Sequence, residues 1–256
     1  MEVLTIVTGL WQRSEAIPVA GWLVVLADVS LCLAGISAAY LIWDMVARKR
    51  QMMPVMKFVW PITALYMGPF AIWAYRTFQV KPMEQAVRMM QEEGGGGTHQ
   101  MMEGMVEAKP FWQQVFTGVT HCGAGCTLGD WIGEFLVFGL GAMLLGATLY
   151  PEYFADYFFA YVLGIAFQYF SIAPMRGVKG MRGVWEAIKA DTLSLTAFEI
   201  GLFGWMALYS IVIFHEGLHP DSPVYWFMMQ IGMVLGFATS YPVNWWLLRS
   251  GIKEPM

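Results

Sequence analysis

The sequence predicts an all-α integral membrane protein, with about six transmembrane helices and one or two amphipathic helices lying at the membrane surface. Hydrophobic residues make up 57% of the 256-residue chain and charged residues only 13%, which is more apolar than an average soluble domain. The apolar residues also fall in stretches of about 20, the length that a helix needs to cross the hydrocarbon core of a bilayer.

Six apolar stretches define the predicted spans within a single membrane domain that covers residues 1–256. They run over residues 19–45, 58–78, 122–150, 153–173, 195–214 and 225–248. Residues 79–120 are predicted to form a polar loop rich in Met. Residues 82–93 and 176–193 each place apolar side chains on one helical face, and this pattern is typical of a helix that lies flat on a membrane.

The distribution of positive charge predicts the orientation. Eleven Lys and Arg residues fall on the side of the predicted N-terminus and four on the other side, so the positive-inside rule places both termini in the cytoplasm of a bacterial inner membrane. The compact basic cluster at residues 48–50 favours the opposite orientation. The net charge of −4 argues against nucleic acid as a partner, and no glycine pattern indicates a nucleotide or flavin.

Residues 120–135, THCGAGCTLGDWIGEF, combine thiols, glycines and acids at regular spacing. If a helix begins near His121, four polar residues spaced four apart fall in one row: Cys122, Cys126, Asp130 and Glu134. A neighbouring row of Gly125, Gly129 and Gly133 would let another helix approach closely. Asp28 and Cys32 repeat the four-residue spacing in the first span.

The positions of these residues within their spans predict one polar cluster. Asp28, Cys32, Asp130, Glu134 and Glu199 lie early in spans that run in one direction, whereas Gln168 and Asn244 lie late in spans that run back. All of them are therefore expected toward the side of the N-terminus. Ionisable residues inside spans are costly and usually mark a pathway, a relay or a ligand site.

Thiolate, imidazole and thioether groups together suit a soft transition metal, either copper(I) or zinc. We expect His121, Cys122 and Cys126 to be the metal ligands, with Cys32 as a fourth soft ligand. Asp28, Asp130 and Glu134 would form an intramembrane relay, and Glu199 would take part in proton coupling. Three residues in the predicted Met-rich loop are weaker candidates for metal capture: Met101, Met102 and Met105.

Structural explanations remain open for the same residues. Cys122 and Cys126 could form a disulfide or pack as two free thiols, and Cys32 could be a small apolar residue in a helix interface. Asp28 and Asp130 could complement helix dipoles.

The segment HEGLH at residues 215–219 matches the H-E-x-x-H pattern. In a helix this pattern places His215 and His219 on one face to bind zinc, with Glu216 as general base. Gly217 and Pro220 disfavour a helix here, so a zinc metalloprotease is a remote alternative and the two histidines are weak metal candidates. No other catalytic residue is indicated.

Four segments together resemble a bacterial family of multi-pass membrane proteins catalogued as domain of unknown function four-three-nine-six. They are THCGAGCTLGDWIGE (120–134), SIAPMRG (171–177), IKADTLSLTAFEIGLFGWM (188–206) and MMQIGMVLGFATSYPVNWWLLRSGIKEPM (228–256). The resemblance extends from about residue 55 onward. It implies an integral membrane fold with the HC-x3-C segment as a hallmark, and it implies no activity.

We expect a transporter or delivery factor for a soft transition metal, with copper favoured. Its partners would be the lipid bilayer and a metal chaperone or other membrane subunits. A homo-oligomer could form through glycine surfaces, of which Gly232, Gly236 and Ser240 offer a second. The alternative is a non-catalytic structural or assembly subunit of a larger membrane complex.

Overall fold

Helices make up all the long elements in the part of the chain that the structure describes. The computed structural model describes residues 19–49, 52–92, 98–176, 180–214 and 218–255. In these residues lie nine α-helices: α1 (Gly21–Ala47), α2 (Met56–Met67), α3 (Pro69–Tyr75), α4 (Lys81–Glu92), α5 (Thr98–Glu107), α6 (Phe111–Leu140), α7 (Leu149–Arg176), α8 (Met181–Ala207) and α9 (Pro223–Arg249). The π-helical segment Arg76–Val80 joins α3 to α4, and Leu208–Ile213 extends α8.

The predicted all-α class is confirmed. Across the described ranges there is no β-strand, only an isolated bridge between Leu144 and Ala147. Among the described residues, two helical segments are long and apolar enough to cross a membrane: Gly21–Ala47, with 27 residues, and Met181–Ile213, with 33 residues. The arrangement of six spans remains a prediction.

Helix α6 lies at the centre of the bundle, and its glycines bring α7 close to it. A Cβ atom added at Gly125 would lie 2.6 Å from Cα of Gly164 in α7, and one added at Gly129 would overlap the backbone of Ala160. In α9, Gly232 and Gly236 accommodate side chains and backbone of α8 in the same way. Both glycine surfaces therefore pack helices within one chain.

The predicted boundaries of the third span, 122–150, are wrong at both ends. Helix α6 begins directly after Pro110, and it ends at Gly141, which adopts a left-handed conformation with φ of 60°. Glycine reaches this conformation without steric cost and commonly ends helices. His121 therefore lies well inside α6 rather than at its start. Asp130 and Glu134 lie in its second half, so the expected position of all polar residues near one side is also wrong.

Two predictions about the connecting segments also need correction. The supposed loop at 79–120 contains α4, α5 and the first turns of α6. The supposed surface helix at 176–193 is not separate, because α8 runs without interruption from Met181 to Ala207. The second predicted span, 58–78, is not one continuous helix. It is divided into α2 and α3 at Gly68, whose φ is +56° and which is followed by Pro69. A helix is present at the expected position 82–93, as α4.

Candidate functional site

A row of buried residues spaced four apart runs along α6. We call it the polar row; it consists of Gly118, Cys122, Cys126, Asp130 and Glu134, and all five residues are buried. Residues four apart advance slightly more than one helical turn, so the row winds around α6 and covers about 24 Å of its length. The row can therefore face different neighbouring helices at different depths.

The two thiols lie at the centre of the polar row. Cys122 and Cys126 are free and completely buried, and their side chains are neighbours. Cys126 also lies beside the carboxyl group of Glu199 from α8. The buried hydroxyl of Tyr66, from α2, lies beside Thr63 and near both cysteines.

Four carboxyl groups from three helices form what we call the carboxyl cluster. Its members are Asp130 and Glu134 from α6, Asp156 from α7 and Glu199 from α8, each at most 1% exposed. Within the described residues, none of their oxygens has a close and well-aligned hydrogen-bond partner. Glu134 nevertheless lies beside Asp156 and Tyr225. Charged carboxylates are costly to bury without cations, so this cluster needs protons or a cation.

His121 faces away from the thiols and contacts a methionine instead. Its Nε2 lies 2.8 Å from Sδ of Met56 in α2, and both side chains are 1% exposed. Consecutive helical residues point about 100° apart, which explains why His121 and Cys122 face different neighbours. Two soft donor pairs result: His121 with Met56, and Cys122 with Cys126.

Lys253, which follows α9, lies at the Gly118 end of the polar row. The Nζ atom of Lys253 lies 2.8 Å from Oδ1 of Asp191 in α8 and donates a hydrogen bond of 3.3 Å to the carbonyl of Gly118. Lys253 is 1% exposed. We call this contact the tail lock. Lys253 is one of the eleven basic residues counted on the side of the N-terminus, and its buried partner was not predicted from the sequence.

Asp28 and Cys32 are exposed on α1. The structure therefore does not bring them into the carboxyl cluster or to the other cysteines, contrary to expectation. Met105 packs against Met83 and Ala86 between α4 and α5.

Several other candidates lie wholly or partly outside the described part of the chain. Met101 and Met102 belong to α5, but their side chains are not among those described. His215 and Glu216 of the HEGLH segment also lie outside the described residues. His219 is partly exposed, and its ring centroid lies 6.3 Å from that of Phe138.

The structure does not bring the four predicted metal ligands together: Cys32 is exposed on α1, and His121 contacts Met56 instead of the cysteines. Among the described residues, no three side chains of the His, Cys, Asp and Glu types are placed to hold one metal ion. Structural zinc sites use four ligands in tetrahedral geometry. The described His, Cys, Asp and Glu side chains do not form such a set. What the structure does supply are pairs of soft donors, the type that copper(I) prefers.

Asp156 is the member of the carboxyl cluster that sequence reasoning missed. It lies in the predicted fourth span, within the apolar stretch YFADYFFAYVLG. The rule that an acid inside a span marks a site would have identified it.

The fold and the site together define a helical bundle around a buried row of thiols and carboxyls. Residues 111–253 match the family described as Domain of unknown function (DUF4396), and the chain belongs to this family. The match begins where α6 begins and ends at Lys253, so it includes the polar row, the carboxyl cluster and the tail lock. No curated protein and no solved structure matches the chain.

Proposed function

We propose that this protein is an integral membrane protein that handles copper(I), as a transporter or as a factor that delivers the ion to a partner. The observation that carries the proposal is the pair of free, buried thiols at Cys122 and Cys126, which lies beside Glu199 at the centre of the bundle. A thiol pair binds a soft ion, and adjacent carboxyls can exchange protons as thiols lose theirs.

The outer surface supports a position in the membrane. Large apolar side chains are exposed along α1, and Trp22, Val25, Val29 and Ile36 are each more than half exposed. Exposed apolar surface of this extent is typical of contact with lipid or another protein. The proposed placement is the inner membrane of a bacterium, with six crossings and with both termini in the cytoplasm.

The donor types favour copper(I) over zinc. Met56 and His121 provide a thioether and an imidazole. Cys122, which directly follows His121, and Cys126, about one helical turn further along α6, provide the thiols. We propose that the ion moves between these two soft pairs. A metal chaperone or another membrane subunit would supply or receive it.

Metal retention tests this function. The detergent-purified parent is loaded with copper(I) under reducing conditions, desalted and analysed by elemental mass spectrometry. We expect near-stoichiometric copper in the parent and its loss in the Cys122→Ser/Cys126→Ser double variant.

Cys32→Ser is the matched control, because it removes the exposed thiol of α1 and should leave copper retention unchanged. Parent protein without copper after loading would refute the proposal. Equal retention in parent and double variant would do the same. Either result would direct attention to the alternative role as an assembly subunit, which copurifying proteins would reveal.

A further inference from the structure

A half-open cavity of about 330 Å³ lies between α1, α2, α6 and α9, apart from the polar row and the carboxyl cluster. The described side chains that line it carry no charge, and only two of them, Thr127 and Gln230, are polar. The others are aliphatic and aromatic residues, methionines and one glycine. The metal function proposed above makes no use of this cavity.

Both polar side chains in the lining are hydrogen-bonded within the protein. The hydroxyl of Thr127 donates to a backbone carbonyl of its own helix at 2.7 Å. Oε1 of Gln230 accepts from Oγ of Ser30 at 2.7 Å, and Nε2 of Gln230 donates to the carbonyl of Leu65 at 2.6 Å. In a regular helix that carbonyl would bond to the N–H of residue 69, but Pro69 has none. A ligand in the cavity therefore meets mainly apolar surface.

Aromatic rings form the part of the lining on α6 and α9. The ring centroid of Trp226 lies 5.7 Å from that of Trp131 and 5.1 Å from that of Phe135. The part on α1 includes the small residues Ala34 and Gly35. Gly35 and Phe135 are both exposed, so the cavity opens to the outer surface of the bundle beside these two residues.

An apolar lining of this kind suits a hydrocarbon ligand. Water is disfavoured there because it needs about two to four polar partners, and an engineered apolar cavity of ~150 Å³ in another protein stays dry and binds benzene. The present cavity has about twice that volume, which gives room for a segment of hydrocarbon chain. A charged group would find no ion-pair partner in the described lining, so the cost of desolvation excludes it.

We propose that the cavity binds one acyl chain of a membrane phospholipid. The rings of Trp131, Phe135 and Trp226 would contact the chain, which would enter past Gly35, where no side chain blocks the opening. Exposed apolar residues border this opening, such as Ile36 on α1, and apolar surface of this type contacts acyl chains in a bilayer. The phospholipid head group would stay outside the uncharged lining. The inference rests on the membrane placement in the proposed function but not on its metal.

Gly35→Leu is the variant that fills the cavity. Among the described residues, no atom beyond the adjoining backbone of α1 lies within 4 Å of a Cβ atom placed at Gly35, so leucine fits without separating helices and takes space from the ligand. Gly204→Leu is the matched control, because a Cβ atom there is equally free of contacts and α8 contributes no described residue to the lining. Both substitutions replace a helical glycine, so they raise helix propensity alike.

Quenching of tryptophan fluorescence tests the inference. Delipidated protein in detergent is titrated with phosphatidylcholine whose acyl chains carry bromine, which quenches tryptophan on contact. We expect saturable quenching of the parent and of Gly204→Leu at a low mole fraction of lipid. In Gly35→Leu the apparent affinity should fall roughly tenfold, because fewer methylene groups can be buried. Trp131→Phe keeps an aromatic lining but should remove part of the saturable quenching.

Parent protein without saturable quenching would overturn the inference, since the cavity would then be covered by another part of the chain, such as residues 1–18, or by a second copy. Equal affinity in Gly35→Leu and the parent would also overturn it, because the lipid would then bind elsewhere on the surface. Undiminished saturable quenching in Trp131→Phe would have the same meaning. The titration contains no copper, so its outcome is independent of the metal-retention experiment.

Discussion

At the scale of single residues, Lys109 has an unusual environment. It lies in the turn between α5 and α6 and is only 4% exposed. The side chain of Gln114 donates hydrogen bonds to the carbonyls of Lys109 and Val106, which holds this turn against α6. Burial lowers the pKa of Lys109 from 10.5 to about 7, since the charged amine is disfavoured away from water.

We expect protein stability to rise with pH above about 7 because of Lys109. The unfolded chain binds a proton at Lys109 up to a higher pH than the folded chain does, so rising pH favours the folded state throughout this interval. Thermal unfolding in detergent at pH 7.5 and at pH 9 would measure the effect. Lys109→Met should reduce the slope, whereas Lys189→Met, at an exposed lysine paired with Glu186, should not.

The residues of the carboxyl cluster differ in how far sequence could predict them. Asp130 and Glu134 were predictable because their spacing places them in one row with two cysteines. Asp28 and Cys32 have the same spacing, but apolar residues occur on every side of α1, so the pattern does not indicate which face turns inward. Only packing against other helices determines that direction.

At the scale of helices, the α6–α7 contact depends on the absence of side chains. A Cβ atom at Gly129 would overlap backbone atoms of Ala160, which cannot move without separating the helices. We expect Gly129→Ala to reduce the free energy of unfolding by about 1–3 kcal/mol, the usual cost of overpacking. Thermal or denaturant unfolding in detergent, followed by circular dichroism, would measure it.

Gly139→Ala is the matched control in the same helix. Among the described residues, no atom beyond the adjoining backbone of α6 lies within 4 Å of a Cβ atom placed there, and alanine favours a helix over glycine by about 1 kcal/mol. This variant should therefore be as stable as the parent or more stable. Equal effects at positions 129 and 139 would show that helix propensity, not close packing, governs both.

Helix boundaries were the least predictable feature of the fold. Hydropathy depends only on residue composition and not on backbone conformation. The apolar segment used to predict the third span reaches Tyr150, whereas α6 already ends at Leu140. The backbone nevertheless turns at Gly141, where a left-handed conformation breaks the helix. The start of α6 contains the polar residues Gln113, Gln114 and Thr117, which the hydropathy pattern assigned to a loop. In the structure they belong to the helix and are partly or completely buried.

At the scale of the whole molecule, the chemical accessibility of the three cysteines depends on what surrounds the protein. Cys32 is exposed on the surface of the protein, whereas Cys122 and Cys126 are buried. If lipid covers α1 as proposed, we expect a membrane-impermeant maleimide to label none of the three in intact membranes. Denaturation in detergent should expose all three to labelling. Efficient labelling of Cys32 in intact membranes would contradict the proposed membrane placement of α1.

The tail lock has a consequence for the synthesis of the protein. Asp191 in α8 precedes its partner Lys253 by 62 residues, which ribosomes take about 3 to 12 s to add at usual rates. If α8 crosses the membrane as proposed, it can enter the bilayer during this interval while Asp191 still lacks its cation. A nascent chain therefore carries this acid without its partner for a time, and the tail lock forms only after α9 and Lys253 have been made.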